Sequence, residues 1–121
     1  MYRLAIDLPS NIFAVHWTGH VDTEEAKRCC EEIQQHLSQV QPGIRIVTDL
    51  SGLESMDYDC VQYIDRIMDF FNQRGITTVV RIIPNPYKDI GFGIMSLFHY
   101  GHGVHIMTCE SQEEAKKILQ A

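Results

Sequence analysis

One central stretch, residues 48–63, most constrains what this chain can fold into. The β-branched run at residues 44–47 leads into it and is typical of a buried strand. After it, apolar residues recur at helical spacing as far as Phe71. Between the two, residues 49–53 predict a turn and Asp57 predicts a helix N-cap, because an Asp side chain can accept a bond from an unpaired amide of the first turn. The centre of the chain is therefore predicted to be a strand, a loop and the start of a helix.

The remaining segments also alternate between strand and helix patterns. Residues 3–8 and 12–18 predict a hairpin, since Pro9, Ser10 and Asn11 between them favour a turn. Asp22, with Glu25 three residues on, predicts the start of the first helix. The apolar stripe of that helix comprises Ala26, Cys30, Ile33, Leu37 and Val40. The later predicted elements are a strand at 76–83, a short helix at 87–99, a strand at 104–108 and a terminal helix that begins with Ser111 and Glu114 and docks through Ala115, Ile118 and Leu119.

The predicted order is β-β-α-β-α-β-α-β-α. Such alternation favours an α/β fold with a mostly parallel sheet, helices packed on it, and an antiparallel N-terminal edge strand from the hairpin. A flavodoxin-like fold is the structural rival, but the opening hairpin and the short chain count against it. The length of 121 residues predicts a single domain over residues 1–121.

Composition narrows the function classes. The net charge of −6, without a Lys/Arg cluster, argues against nucleic-acid binding. The apolar runs are too short to span a bilayer and the N-terminus does not resemble a signal peptide, so we expect no membrane partner and a cytoplasmic location. The four cysteines include no C-x-x-C pair, which favours reduced thiols.

The central stretch resembles the STAS domain of anti-sigma-factor antagonists and sulfate transporters. Family members carry a segment like D-L-S-x-(V/L)-x-x-(M/I)-D-S-S-G-(L/V) after the third strand. Here Asp49-Leu50-Ser51-Gly52-Leu53 and Met56-Asp57 match it. Tyr58, Asp59 and Cys60 depart from it, and Asp59 occupies the position of the phosphorylated serine. The predicted order of strands and helices also matches STAS along the whole chain.

This resemblance implies a non-enzymatic regulatory module that binds a kinase-like anti-sigma factor or a similar bacterial signalling protein. The implied contact surface comprises Leu53, Ser55, Asp57, Tyr58 and Asp59. No phosphorylation is expected at Asp59, whose permanent charge stands where a phosphoserine would carry about −1.5 to −2. Ser51 and Ser55 are other hydroxyls nearby that could accept a phosphate. The simpler interpretation of Asp57 and Asp59 is that they only stabilise the helix start.

Cysteines and histidines offer weaker candidates. Cys60 is predicted to be a buried, unreactive thiol rather than a thiolate at a helix start. Cys30 is predicted to lie in the core and Cys29 at the helix flank. We predict hydrogen bonds near a sheet edge for His16 and His20. The three histidines with metal-like spacing fall on three different predicted elements, so no metal site is predicted; they are His99, His102 and His105.

No enzyme motif is present in the sequence, so no catalytic residue and no cofactor are predicted. The segment 87–100 holds more apolar side chains than a short helix needs to bury: Tyr87, Ile90, Phe92, Met95, Phe98 and Tyr100. They are either ordinary core or an apolar lip that binds a partner, a second copy of the chain or a small ligand. The alternative function is therefore a diverged STAS-like domain that binds a small apolar ligand or forms a homodimer.

Overall fold

A computed structural model describes residues 1–83 and 103–120 of the chain. The five strands are β1 Tyr2–Asp7, β2 Ile12–Val21, β3 Arg45–Met56, β4 Thr78–Ile82 and β5 His105–Cys109. The three helices are α1 Thr23–His36, α2 Val61–Gln73 and α3 Gln112–Gln120, and 3₁₀ turns occupy Leu37–Gln39 and Tyr58–Cys60. The helix predicted at 87–99 lies outside the described residues.

The strands form one sheet in the order β1-β2-β3-β4-β5. β1 and β2 pair antiparallel, and the other neighbours pair parallel, which confirms the predicted mixed sheet. The hairpin turn places Asn11 at a φ of 54°, a conformation that Asn tolerates better than most residues. α1 connects β2 to β3, and α2 connects β3 to β4, as expected for crossovers between parallel neighbours.

Each face of the sheet buries its own cluster. Phe13, Val15 and Trp17 of β2 are buried with apolar residues of α1 and α2, and the rings of Phe13 and Phe71 meet edge-on at 5.3 Å. The second, smaller cluster includes Val47, Val80 and Ala115 of α3, with Ile118 and Leu119 packed against it. Because side chains alternate along a strand, His16 of β2 lies on this second face.

The predicted capping residues at the starts of α1 and α3 are confirmed. The side chain of Asp22 accepts a bond from the Glu25 amide at 2.8 Å at the start of α1. The Ser111 hydroxyl accepts from the Glu114 amide at 3.2 Å at the start of α3. The prediction for Cys29 was wrong: it is fully buried, because two adjacent positions of α1, Cys29 and Cys30, both reach the core.

The predicted turn at residues 49–53 was also wrong, because these residues continue β3 to Met56. β2 likewise continues to Val21, and the two strands stay paired through two irregularities. Leu50 and Leu53 are both buried. Residues 49–53 therefore form a kinked part of β3 whose apolar side chains lie in the core.

Among the described residues, no helix has the length and apolar character needed to cross a membrane.

The approach of β2 to β3 predicts that Gly52→Ala is destabilising. A Cβ on Gly52 would lie 2.8 Å from the Thr18 Cγ2 atom, and a β-branched side chain cannot easily turn away. We expect the free energy of unfolding in urea to fall by about 1–3 kcal/mol. Thr18→Ser removes that methyl group, so Thr18→Ser/Gly52→Ala should recover most of the loss relative to Thr18→Ser alone. If Gly52→Ala lowered the free energy of unfolding equally in wild type and in Thr18→Ser, the Thr18 methyl group would not be the cause of the destabilisation.

Candidate functional site

The predicted contact surface follows the end of β3 into the first turn before α2. Ser55, Asp57 and Asp59 are exposed there, and Tyr58 is 87% exposed. Leu53 is different: only 6% of it is exposed and it belongs to the main core. The bulge in β3 between Asp49 and Gly52 turns the side chain inward, so Leu53 supports the surface from below rather than forming part of it.

Asp57 does not cap a helix with its side chain, contrary to the sequence-based prediction. The 3₁₀ turn Tyr58–Cys60 intervenes, and α2 begins only at Val61. Instead, the Asp57 Oδ1 atom lies 3.0 Å from Nε2 of His20. The cause is the strand pairing, which sets His20 opposite Ser55 at the ends of β2 and β3 and so brings the imidazole next to Asp57.

His20 joins the two strand ends through both ring nitrogens. Its Nδ1 atom lies 2.6 Å from the Ser55 hydroxyl oxygen. An ionised Asp57 can only accept, so the neutral ring carries its proton on Nε2 and the Ser55 hydroxyl donates to Nδ1. This agrees with the hydrogen-bonding role predicted for His20. The sequence did not predict that its partners are Ser55 and Asp57, which lie 35 and 37 positions further along the chain.

The order serine, imidazole, carboxylate also occurs in serine hydrolases. There the serine bonds Nε2 and the carboxylate bonds Nδ1, the reverse of the arrangement here. The side chains of His20 and Asp57 are 53% and 47% exposed, so water competes for each bond. The group is therefore better suited to fixing the surface than to activating a nucleophile.

A shallow groove of about 440 Å³ lies beside the 3₁₀ turn. Its lining consists of Tyr58, Asp59, Val61, Gln62 and Asp65. The groove presents two exposed apolar side chains, since Val61 is 43% exposed as well as Tyr58. Acidic groups surround them, which makes this surface complementary to a partner with an apolar contact and positive charge.

Asp49 anchors the kinked part of β3 that leads to this surface. It is only 5% exposed. Its Oδ1 atom accepts from the Ser51 amide at 2.9 Å and the Ser51 hydroxyl at 2.6 Å. Its Oδ2 atom lies 3.0 Å from His16 Nδ1 and 2.9 Å from Gln112 Nε2 of α3. Burial opposes ionisation, but these hydrogen bonds outweigh it and lower the pKa of Asp49.

Comparison with protein families decides the assignment. A family model for the STAS domain matches residues 3–101, most of the chain. The chain belongs to the STAS family. Comparison with curated proteins gives no match.

Solved structures of similar fold agree with this assignment. The anti-sigma factor antagonist SpoIIAA in its unphosphorylated form is 15% identical, with a TM-score of 0.69 over 100% of this chain and 99% of that chain. The phosphorylated form of SpoIIAA, a Bacillus cell fate determinant, is 15% identical, with a TM-score of 0.64 over 98% and 99%. An uncharacterised Shewanella loihica protein with a SpoIIAA-like fold is 12% identical, with a TM-score of 0.76 over 98% and 93%. At these identities the likeness shows the shared fold.

Cys60, which departs from the STAS motif, packs inside the domain. It is fully buried, and its thiol lies 3.6 Å from the carbonyl oxygen of Val21. Burial, with the nearby charge of Asp57, raises the pKa of the Cys60 thiol. A raised pKa disfavours the thiolate, in agreement with the prediction of an unreactive cysteine.

The other predicted candidates are only partly within the described residues. His105 is exposed on β5, whereas His99, His102 and the apolar set at 87–100 lie outside them. Within residues 1–83 and 103–120, no group of three or more His, Cys, Asp or Glu side chains is arranged to hold a metal ion.

The bonds to Asp49 predict an acid-dependent contribution to the stability of this STAS domain. The pKa of Asp49 is lower in the folded state than in the unfolded state, so its ionised carboxylate stabilises the fold at pH values above the unfolded-state pKa of about 3.9. This stabilisation is lost as the pH falls through the folded-state pKa of Asp49. Asp49→Asn keeps the size of the side chain but removes its charge. We expect it to lower the free energy of unfolding by about 1–3 kcal/mol at neutral pH.

Urea unfolding at neutral pH and at successively lower pH, down to the acid limit of the fold, measures this difference. The difference in free energy of unfolding between wild type and Asp49→Asn should become smaller at the acid end of the series. A gap that stays constant with pH would show that the charge of Asp49 is not the source of the stabilisation.

Proposed function

We propose that this STAS domain is a non-enzymatic, protein-binding regulatory module. Its docking surface, here called the α2-entry surface, comprises Ser55, Asp57, Tyr58 and Asp59 with the adjoining groove. The observation that carries the proposal is the exposure of Tyr58, which leaves 87% of a large aromatic side chain in water. Tyrosine is among the residues that most often dominate binding energy at protein interfaces, because one end is apolar and the other can form hydrogen bonds.

The electrostatics of the surface favour a partner with a basic contact region. Asp57 and Asp59 flank Tyr58 along the chain, and Asp65 lines the same groove. The chain as a whole carries a net charge of −6, which would add long-range attraction to such a partner. By resemblance to the anti-sigma-factor antagonists of the family, the partner is a kinase-like anti-sigma factor or a similar regulatory protein.

Asp59 sets this domain apart from relatives that switch by phosphorylation. SpoIIAA exists in an unphosphorylated and a phosphorylated form. Here a carboxylate occupies the position that the family motif assigns to the phosphorylated serine, on an exposed first-turn residue. The α2-entry surface therefore carries a fixed negative charge, and partner binding is not switched by phosphorylation at that position.

The test uses the wild-type chain and three variants as baits in affinity capture from lysate of the native source, analysed by mass spectrometry. We expect a regulatory protein that wild type retains and that Tyr58→Ala and Asp59→Arg lose by about tenfold or more, as for a central aromatic contact. Asp69→Arg is the matched control, because it makes the same charge change at an exposed position on α2, roughly 15 Å along the helix from Asp59.

A partner that Asp59→Arg and Asp69→Arg lose equally would show that overall charge, not the α2-entry surface, controls binding. A partner that all four baits retain would place the interface elsewhere. Baits that return only their own chain would contradict the proposal.

A further inference from the structure

A second site lies away from the α2-entry surface, where β1 begins beside the kink in β3. It is a pocket of about 310 Å³, within the lower range of small-molecule sites. Its wall is mainly apolar. The lining includes Tyr2, Arg3, His16, Trp17, Ser51 and Gln112.

Three of its polar groups form a row across the sheet. Arg3 of β1 is the register partner of His16 of β2, and His16 is the register partner of Asp49 of β3. Direct cross-strand partners have side chains on the same face, so a guanidinium, an imidazole and a carboxylate lie side by side. The row places a histidine between the cation of Arg3 and the carboxylate of Asp49.

Asp49, the anion of this row, already has hydrogen-bond partners for both of its carboxylate oxygens. Asp49 accepts from Ser51 twice and lies within hydrogen-bonding distance of His16 and Gln112. An ionised Asp49 makes Nδ1 of His16 the protonated nitrogen, which leaves Nε2 for a ligand. The His16 side chain is only 15% exposed, so its ring is held in place by packing and by Asp49.

The cation of the row is not neutralised in the same way. Arg3 is exposed and has no carboxylate at ion-pair distance within residues 1–83 and 103–120. Tyr2 does not compete for a ligand: burial and a hydrogen bond with Glu32 of α1 raise its pKa to about 12, so the hydroxyl stays neutral and engaged with α1. The pocket therefore offers Arg3 and His16 to an anion, beside an apolar wall.

We propose that this pocket binds a small monocarboxylate with a compact apolar body. The carboxylate would accept bonds from the Arg3 guanidinium and from Nε2 of His16 when the imidazole carries a proton on both nitrogens. The apolar body would lie against the apolar part of the pocket wall. This binding is independent of the α2-entry surface and of any protein partner.

Purified full chain is titrated with hexanoate and with neutral hexanamide, and binding is measured by calorimetry. We expect saturable hexanoate binding, with hexanamide weaker by about tenfold or more, because it lacks the charge-assisted bonds. Arg3→Gln should weaken hexanoate by a similar factor. Arg66→Gln, the same change at an exposed position on the helix-covered opposite face, should leave it unchanged.

His16→Gln is a second variant, compared only if its thermal unfolding remains cooperative; it should reduce the preference for hexanoate over hexanamide. Equal binding of hexanoate and hexanamide would overturn the proposal, as would unaltered binding by Arg3→Gln. Absence of saturable hexanoate binding by calorimetry would overturn it too, and inorganic phosphate binding more tightly than hexanoate would overturn the assignment to carboxylates.

Discussion

The parallel pairing of β2 with β3 is the constraint on which the rest of this domain depends. It runs from Ile12 opposite Arg45 to Val21 opposite Met56. Twice along this length β3 carries one residue more than β2, first between Asp49 and Gly52 and again before Ser55. Each extra residue bends β3 and interrupts its ladder, so the interrupted part needs other bonds to hold it. The buried carboxylate of Asp49 supplies them by accepting from the amide and hydroxyl of Ser51.

The geometry at the start of α2 follows from where this pairing ends. The last partners place His20 opposite Ser55, and the Asp57 amide still donates to the Val21 carbonyl at 3.0 Å. The Asp57 side chain is therefore held against β2 and turned to His20, rather than folded over the helix start. A 3₁₀ turn then precedes α2 and carries Tyr58 outward. Strand pairing, rather than helix capping, thus determines what the α2-entry surface exposes.

Sequence periodicity was sufficient for the architecture because it reflects burial. The strands, the mixed sheet and the capped starts of α1 and α3 all followed from local patterns. The kink in β3 did not, because Asp, Ser and Gly have the same local preference in a turn as in a bulge. Only pairing with a distant strand separates the two.

The candidate site was predictable to a smaller extent. Its place before α2 came from the family motif, but the bonds of His20 join residues 35 and 37 positions apart. The burial of Leu53 was equally hidden, since a bulge changes which side chains of a strand face the core. Long-range contacts of this kind leave no periodic signal in one sequence.

The two proposed sites differ in charge although both depend on β3. The α2-entry surface is acidic and open, and suits a macromolecule that brings its own positive charge. The second pocket is apolar with an exposed arginine, and suits a small anion. Asp49 and Ser51, which border that pocket, also shape the strand that leads to Ser55. A ligand that binds His16 would therefore stabilise the bonded form of Asp49, and with it the kink in β3.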